Sequence, residues 1–209
     1  MNFTIPLFPL PTVVLFPNVL LPLHIFEPRY RQMVEASLAG DRMIGMVLLR
    51  PGYEADYEGA PAIYRTGCAG LITRAERLED GRYDLVLRGV EKFTIRTEDA
   101  PAPGRLYRSA VISPVEELVP DADRESLTRE RGRLLDMLAP VLAEYLQTEL
   151  PAGMPDEDLV NSLAQYLNLD PIEKLALLER DGALARCRGL IELLEMKSFP
   201  TNDPTGNVH

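Results

Sequence analysis

The sequence predicts an α+β chain in which a small, strongly curved sheet with one helix is followed by a bundle of helices. Three observations predict it. Residues 1–115 carry short apolar runs, partly alternating and separated by Gly- and Pro-marked bends, which is a strand signature. In the second half Leu127, Leu134 and Leu138 recur at helical spacing. Charge divides at the same place: residues 1–115 hold 13 basic and 13 acidic side chains, whereas 116–209 hold 9 and 19, so the whole net charge of −10 lies there. The expected units are therefore 1–115, 116–198 and a polar, disordered tail at 199–209. Each of the first two is long enough to build a core.

The opening run from Ile5 to Leu23 is apolar enough to suggest a signal or membrane segment. Pro6, Pro9, Pro11, Pro17 and Pro22 leave no helix long enough for a bilayer, and the first basic residue is Arg29. Short extended strands joined by bends are expected instead. Pro28 suits the first turn of a helix whose apolar stripe is Tyr30, Met33, Val34 and Leu38, with Gly40 as its stop. Met43 to Leu49 reads as a buried strand. Ile63 to Leu78 reads as another, with Gly67 and Gly70 marking a bulge or a close backbone approach. Asp80-Gly81 is a hairpin turn into Tyr83–Val90. Phe93 to Ile95 continues the pattern, and Leu106 to Ile112 supplies a final strand.

In the second half, the helix begun around Leu127 should be kinked or divided by Pro140. A link at Pro151–Pro155 leads to a helix capped by Asp156 and carrying Leu159, Val160, Leu163 and Leu167. Asp170-Pro171 with Glu173 is a good helix start, and Asp181 opens a last helix with Leu184, Cys187, Leu190, Ile191 and Leu194. Cys68 and Cys187, 119 positions apart with no C-x-x-C, fit two small buried thiols in a reducing cytoplasm.

Four stretches, in order, carry a family resemblance. They are Pro6-Leu7-Phe8-Pro9-Leu10 through Phe16-Pro17 to Leu23, with the helix after it; Thr66-Gly67-Cys68-Ala69-Gly70-Leu71-Ile72; Asp80-Gly81-Arg82 through Arg88-Gly89-Val90-Glu91-Lys92-Phe93-Thr94-Ile95; and Asp170-Pro171-Ile172-Glu173-Lys174-Leu175-Ala176-Leu177-Leu178 within Leu159–Leu194. Together they resemble the amino-terminal, substrate-binding domain of Lon-type ATP-dependent proteases, from about residue 3 to 197. The resemblance implies a PUA-like pseudo-barrel followed by a helical bundle, acting as a recognition module with no chemistry of its own. No G-x-x-x-x-G-K-[ST] loop occurs, because Lys92, Lys174 and Lys197 follow Glu, Glu and Met. Lys197-Ser198 has no setting for a Ser–Lys dyad. The expectation is a stand-alone, non-enzymatic form with no cofactor.

Several residues could carry function. His24, three before Glu27, could be a general base or half a metal site, but without a second histidine a junction residue bonded to backbone outweighs it, and no catalytic or metal residue is assigned. Phe8, Phe16, Phe26 and Tyr30 could line an apolar groove, against the plainer reading that they fill the core. Tyr53 and Tyr57 sit in a Gly52–Gly59 loop where they could anchor a partner, although Asp56 and Glu58 fall short of a cation's ligand set. Arg65 and Arg88, with Arg74, could grip a peptide carboxylate or simply face solvent.

The expected function is binding of exposed apolar polypeptide segments in protein quality control. The partners are other polypeptides and, as a candidate, a separate protease; self-association stays open. The alternatives are a PUA-like RNA-binding module and a small-molecule-binding protein or hydrolase. The acidic second half would repel phosphate backbones, so nucleic acid is disfavoured, and no membrane partner is expected.

Overall fold

The computed structural model describes residues 3–57, 59–100, 102–145 and 153–198. The expected tail, the start of the Pro151–Pro155 link and the side chains from 140 to 150 lie outside the described residues. The elements are β1 (Phe3–Leu10), β2 (Leu20–Ile25), α1 (Pro28–Ala39), β3 (Met43–Leu49), a single 3-10 turn (Tyr53–Asp56), β4 (Ile63–Arg77), β5 (Tyr83–Glu98) and β6 (Arg108–Val115). The helices α2 (Asp121–Tyr145), α3 (Asp156–Tyr166), α4 (Pro171–Glu179) and α5 (Gly182–Ser198) follow. The chain is thus α+β, as its patterning predicts.

Five strands close a ring. β1 pairs with β3 in parallel and with β6 antiparallel, while β3–β4, β4–β5 and β5–β6 complete the circuit antiparallel. β2 stands outside it, paired only with the first half of β5 and ending the sheet order. The closure is uneven, a ring with a three-stranded extension of β2, β5 and β4. β5 is one strand across the expected Tyr83–Val90 and Phe93–Ile95 pieces, and the expected Leu106–Ile112 strand runs instead from Arg108 to Val115.

Two apolar clusters follow from the strand period of two. Inside the ring lie Ile5, Leu7, Val47, Phe93, Ile95 and Ile112. Alternate residues of β3, Ile44, Met46 and Leu48, face outward into a larger cluster that also holds Phe16 and Met33 and continues into Leu134, Val160 and Leu178 of the helices. The strand-rich and helical parts therefore share one core. Gly67 makes room inside the ring: a Cβ there would lie 2.4 Å from the Met46 carbonyl oxygen and 2.6 Å from the Phe93 ring.

β5 changes phase at Val90. Its pairing to β4 passes from Gly70–Gly89 to Ala69–Glu91, which leaves Val90 as the bulged residue. Phe93 and Ile95 line the ring, whereas Tyr83, Leu85 and Leu87 join the outer cluster. Asp84, Val86 and Arg88 consequently continue the ring-lining face beyond the ring. Gly89 permits the turn at this point, since a Cβ would lie 2.0 Å from the Phe16 carbonyl oxygen.

α2 runs undivided through Pro140, so of the two expected outcomes division does not occur. At α3 an expectation is corrected. Asp156 is the first residue of α3 rather than its cap, a position held by Pro155, and its carboxylate instead accepts a 2.6 Å hydrogen bond from Thr128 and pairs with Arg131. Asp170 caps α4 as expected, its N–H donating to Glu173 Oε2 at 2.8 Å. Cys68 and Cys187 are buried free thiols, and burial pushes the Cys187 thiol up to about 11.

A buried ionic group ties the ring to the helices. Arg186, 1% exposed, donates to both oxygens of Glu117 at 2.7 and 2.9 Å, to Asn161 Oδ1 at 2.7 Å and to the Leu177 carbonyl at 3.1 Å. Lys92 reaches Glu117 at 2.5 Å and the Arg180 carbonyl at 2.9 Å. Burial raises the Glu117 pKa, but Arg186 and Lys92 outweigh it and hold the carboxyl below its ordinary value. Among the described residues no helix is long and apolar enough to cross a membrane.

Candidate functional site

The extension is where the fold leaves a face bare. Its inner side, with Tyr83, Leu85, Leu87 and Ile25, belongs to the larger cluster. On its outer side three rows cross the strands: Leu20, Arg88 and Leu71; Pro22, Val86 and Arg74; His24, Asp84 and Glu76. The last two rows line an open depression of about 460 Å³.

The free edge of β2 can be read atom by atom. The Gly89 N–H donates to the Val19 carbonyl at 2.9 Å, so carbonyls two residues apart from Val19 point toward β5. Those of Leu20, Pro22 and His24 therefore point away from it. Pro22 agrees, because a proline in a sheet belongs where no ladder donor is needed. Along the same residues the side chains alternate outward: Leu20 is 51% exposed, and Phe26, just past the strand, is 61% exposed with its ring 6.4 Å from that of His24.

Helix α3 holds the chain that leads into this strand. Gln165 Oε1 accepts the Phe16 N–H at 3.2 Å, Asn161 Nδ2 donates to the Pro17 carbonyl at 3.0 Å, and Asn18 Nδ2 donates to Asp158 Oδ1 at 2.8 Å. Tyr166, at the end of α3, donates its hydroxyl to the Leu20 carbonyl. Asn18 adopts a positive φ of 61°, which asparagine tolerates.

His24 does not pair with Glu27. Its Nδ1 lies 2.6 Å from Asp84 Oδ1 across the ladder, and Arg82 Nη1 lies 3.1 Å from its Nε2. Arginine can only donate, so Nε2 accepts and Nδ1 carries the proton shared with Asp84. Glu27 turns instead to Arg29 and to the Tyr57 hydroxyl, 3.0 Å away. Among the described residues no group of three His, Cys, Asp or Glu side chains could hold a metal ion. What the face offers is apolar contact, backbone hydrogen bonding and charges of both signs.

The other singled-out residues separate into three places. Phe8, Phe16 and Tyr30 are buried in the larger cluster: the Phe8 and Tyr30 rings meet tilted, with centroids 4.5 Å apart, the Tyr30 hydroxyl donates to the Pro9 carbonyl, and Phe16 lies 5.7 Å beneath the Arg186 guanidinium. Burial pushes the Tyr30 hydroxyl above its ordinary range. Tyr53 and Tyr57 pack on the ring-lining cluster, and Arg29 braces Tyr57 by donating to its carbonyl at 2.8 Å. Arg65 donates to the Ile95 and Arg96 carbonyls in the ring half of β5. Of these, Phe26, Arg74 and Arg88 fall on the open face. Leu20, Pro22, Asp84 and Tyr166 were not singled out by sequence; alternation through a mid-strand proline in Leu20, Pro22, His24 and Phe26 is the signal that marks an exposed edge.

A family model described as the ATP-dependent protease La (LON) substrate-binding domain matches residues 4–196. Among curated relatives, a Lon protease of Cytophaga hutchinsonii is 23% identical over 197 residues, covering 91% of this chain and 24% of the relative. Lon protease 2 of Myxococcus xanthus is 28% identical over 201 residues, covering 92% and 24%. The chain thus spans about a quarter of the length of these relatives. Among solved structures, the Lon N-terminal domain protein from Xanthomonas campestris superposes with a TM-score of 0.63 at 25% identity, covering 91% of this chain and 98% of that one. The N-terminal domain of a Mycobacterium avium complex Lon protease shares the fold, with a TM-score of 0.66 at 19% identity and coverage of 92% and 98%. With the model matched over almost its whole described length, the chain belongs to the family of Lon substrate-binding domains.

Proposed function

We propose that this chain is a non-enzymatic, cytoplasmic recognition module that takes exposed apolar stretches of other polypeptides onto the β2–β5–β4 face. Such a module would serve protein quality control, with a separate protease as a candidate recipient of what it binds. One observation carries the reading: Leu20, Pro22 and Phe26 stand exposed in line along the free edge strand of the sheet. An extended segment laid beside β2 can donate to the Pro22 and His24 carbonyls while its side chains cover Leu20 and Phe26. Covering a leucine- or phenylalanine-sized side chain contributes about 1.5–3 kcal/mol. Arg74 and Arg88 on one side and Glu76 and Asp84 on the other let segments of either charge lie across the face. Both ring nitrogens of His24 are engaged, by Asp84 and Arg82, which supports reading it as part of the binding face rather than as a general base.

The test is fluorescence anisotropy of a labelled, permanently unfolded protein titrated with this chain, beside a folded control and a short structured RNA at low salt. Saturable binding to the unfolded chain alone, weakened in the Leu20→Ser variant, is expected. Binding to the RNA, or no binding to any of the three, would overturn the reading. His24→Ala should leave the binding intact.

A further inference from the structure

The backbone groups of β2 do not all remain available to an added strand. An antiparallel or parallel newcomer pairs with successive outward groups, here those of Leu20, Pro22 and His24. Pro22 has no N–H to give, so it can only accept. At Leu20 the Tyr166 hydroxyl donates to the outward carbonyl, taking one of its two lone pairs and placing the phenol on the side from which an incoming N–H would approach. The tyrosine ring itself stands 64% exposed at this end of the strand. Nor is the contact a chance approach of a surface side chain. Asp158, Asn161 and Gln165 of the same helix hold Asn18, Pro17 and Phe16 immediately before Leu20, so the hydroxyl is delivered by a helix fixed at three further points. At the opposite end of β2, among the described residues, no side chain donates to an outward carbonyl, and the strand runs out through His24 to Ile25 and exposed Phe26.

We infer that Tyr166 is a stop that limits how far an incoming strand can pair along β2. The inference rests on the polypeptide-binding reading above and deepens it by setting the length of segment that the face takes. A bound strand registers on Pro22 and His24, anchors on Phe26, and ends where Tyr166 begins. The face therefore selects short apolar segments and does not zip along a long one. That arrangement suits partners that share exposed apolar side chains but no common sequence, and it keeps the edge from capturing another sheet strand along its full length.

The experiment measures dissociation constants for a Leu/Val-rich peptide prepared in graded lengths, with the unmodified chain, Tyr166→Phe and Tyr166→Ala, and with urea unfolding of each as a folding control. For the unmodified chain the affinity should stop improving once the peptide spans the Pro22–Phe26 end. For Tyr166→Ala the plateau should move out by the one position at Leu20, with a gain of about five-fold there, and Tyr166→Phe should fall between the two. A plateau at the same length in all three proteins overturns the stop while leaving the polypeptide-binding reading in place. Failure of the unmodified chain to bind any length overturns both. Should Tyr166→Ala unfold, the length series on the unmodified chain still decides: tightening without a plateau excludes a stop.

Discussion

The two halves of β5 present the same face to opposite surroundings. Beyond Val90 that face is turned inward, where Phe93 and Ile95 are enclosed by β1, β3, β4 and β6. Before Val90 it carries Asp84, Val86 and Arg88 between β2 and β4, and this face borders an open depression. A single bulged residue separates an interior from a surface. In the closed half the side chains are satisfied by one another, and changes there are felt as lost stability. In the open half the exposed apolar groups contribute little to folding and remain available to a partner.

Four changes test that contrast. Phe93→Ala empties the centre of the ring and should cost about 4 kcal/mol, read from the urea midpoint; a cost below about 1 kcal/mol would mean that the ring interior is not a packed core. Arg186→Met removes the cation that holds Glu117 to the helices and should cost about 3 kcal/mol. Because ring and helices share a cluster, both should be lost in one thermal transition, and two separated transitions would refute that coupling.

The third change is in pH. Glu117 has a folded value held below the ordinary 4.5, so the unfolded chain takes up its proton more readily than the folded one. Its contribution is in place above the ordinary value and is lost as pH falls through the folded one. Stepped-pH urea titrations should show this acid limb, and Glu117→Gln should flatten it. The smallest effect on folding is expected from Phe26→Ala, within about 0.5 kcal/mol because the ring is exposed. The same variant should weaken binding of an unfolded polypeptide by about ten-fold. Equal binding with and without Phe26 would move the contact surface away from this face.

Much of the fold was legible because its signals are local. The Pro28 helix start, the Asp80-Gly81 turn and the Asp170-Pro171 cap with Glu173 each depend on neighbours within four residues, and each formed where the chemistry places it. The family resemblance implied a pseudo-barrel, but the pairing that closes the ring was not legible from spacing, since Phe3 finds Ile112 and no short pattern reports it. The site was legible only in part for the same reason. Phe26 and Phe16 look alike in sequence, and what separates them is that Phe16 lies under Arg186, a residue 170 positions away. The Tyr166 hydroxyl on Leu20 spans 146 positions and belongs to a helix whose own pattern shows only its apolar side.

Closing the ring through β1 and β6 has a consequence for synthesis. Phe3 pairs with Ile112, so β1 must wait for β6, the last strand of the ring, before its outer edge is covered. The backbone of Phe16 waits longer still, for Gln165. Throughout that interval the growing chain displays a long, Pro-broken apolar stretch, much like the segments it is proposed to bind. A chain proposed to bind exposed apolar segments thus passes through a stage in which it displays one itself, and its yield in cells should depend on how fast the ribosome delivers α3.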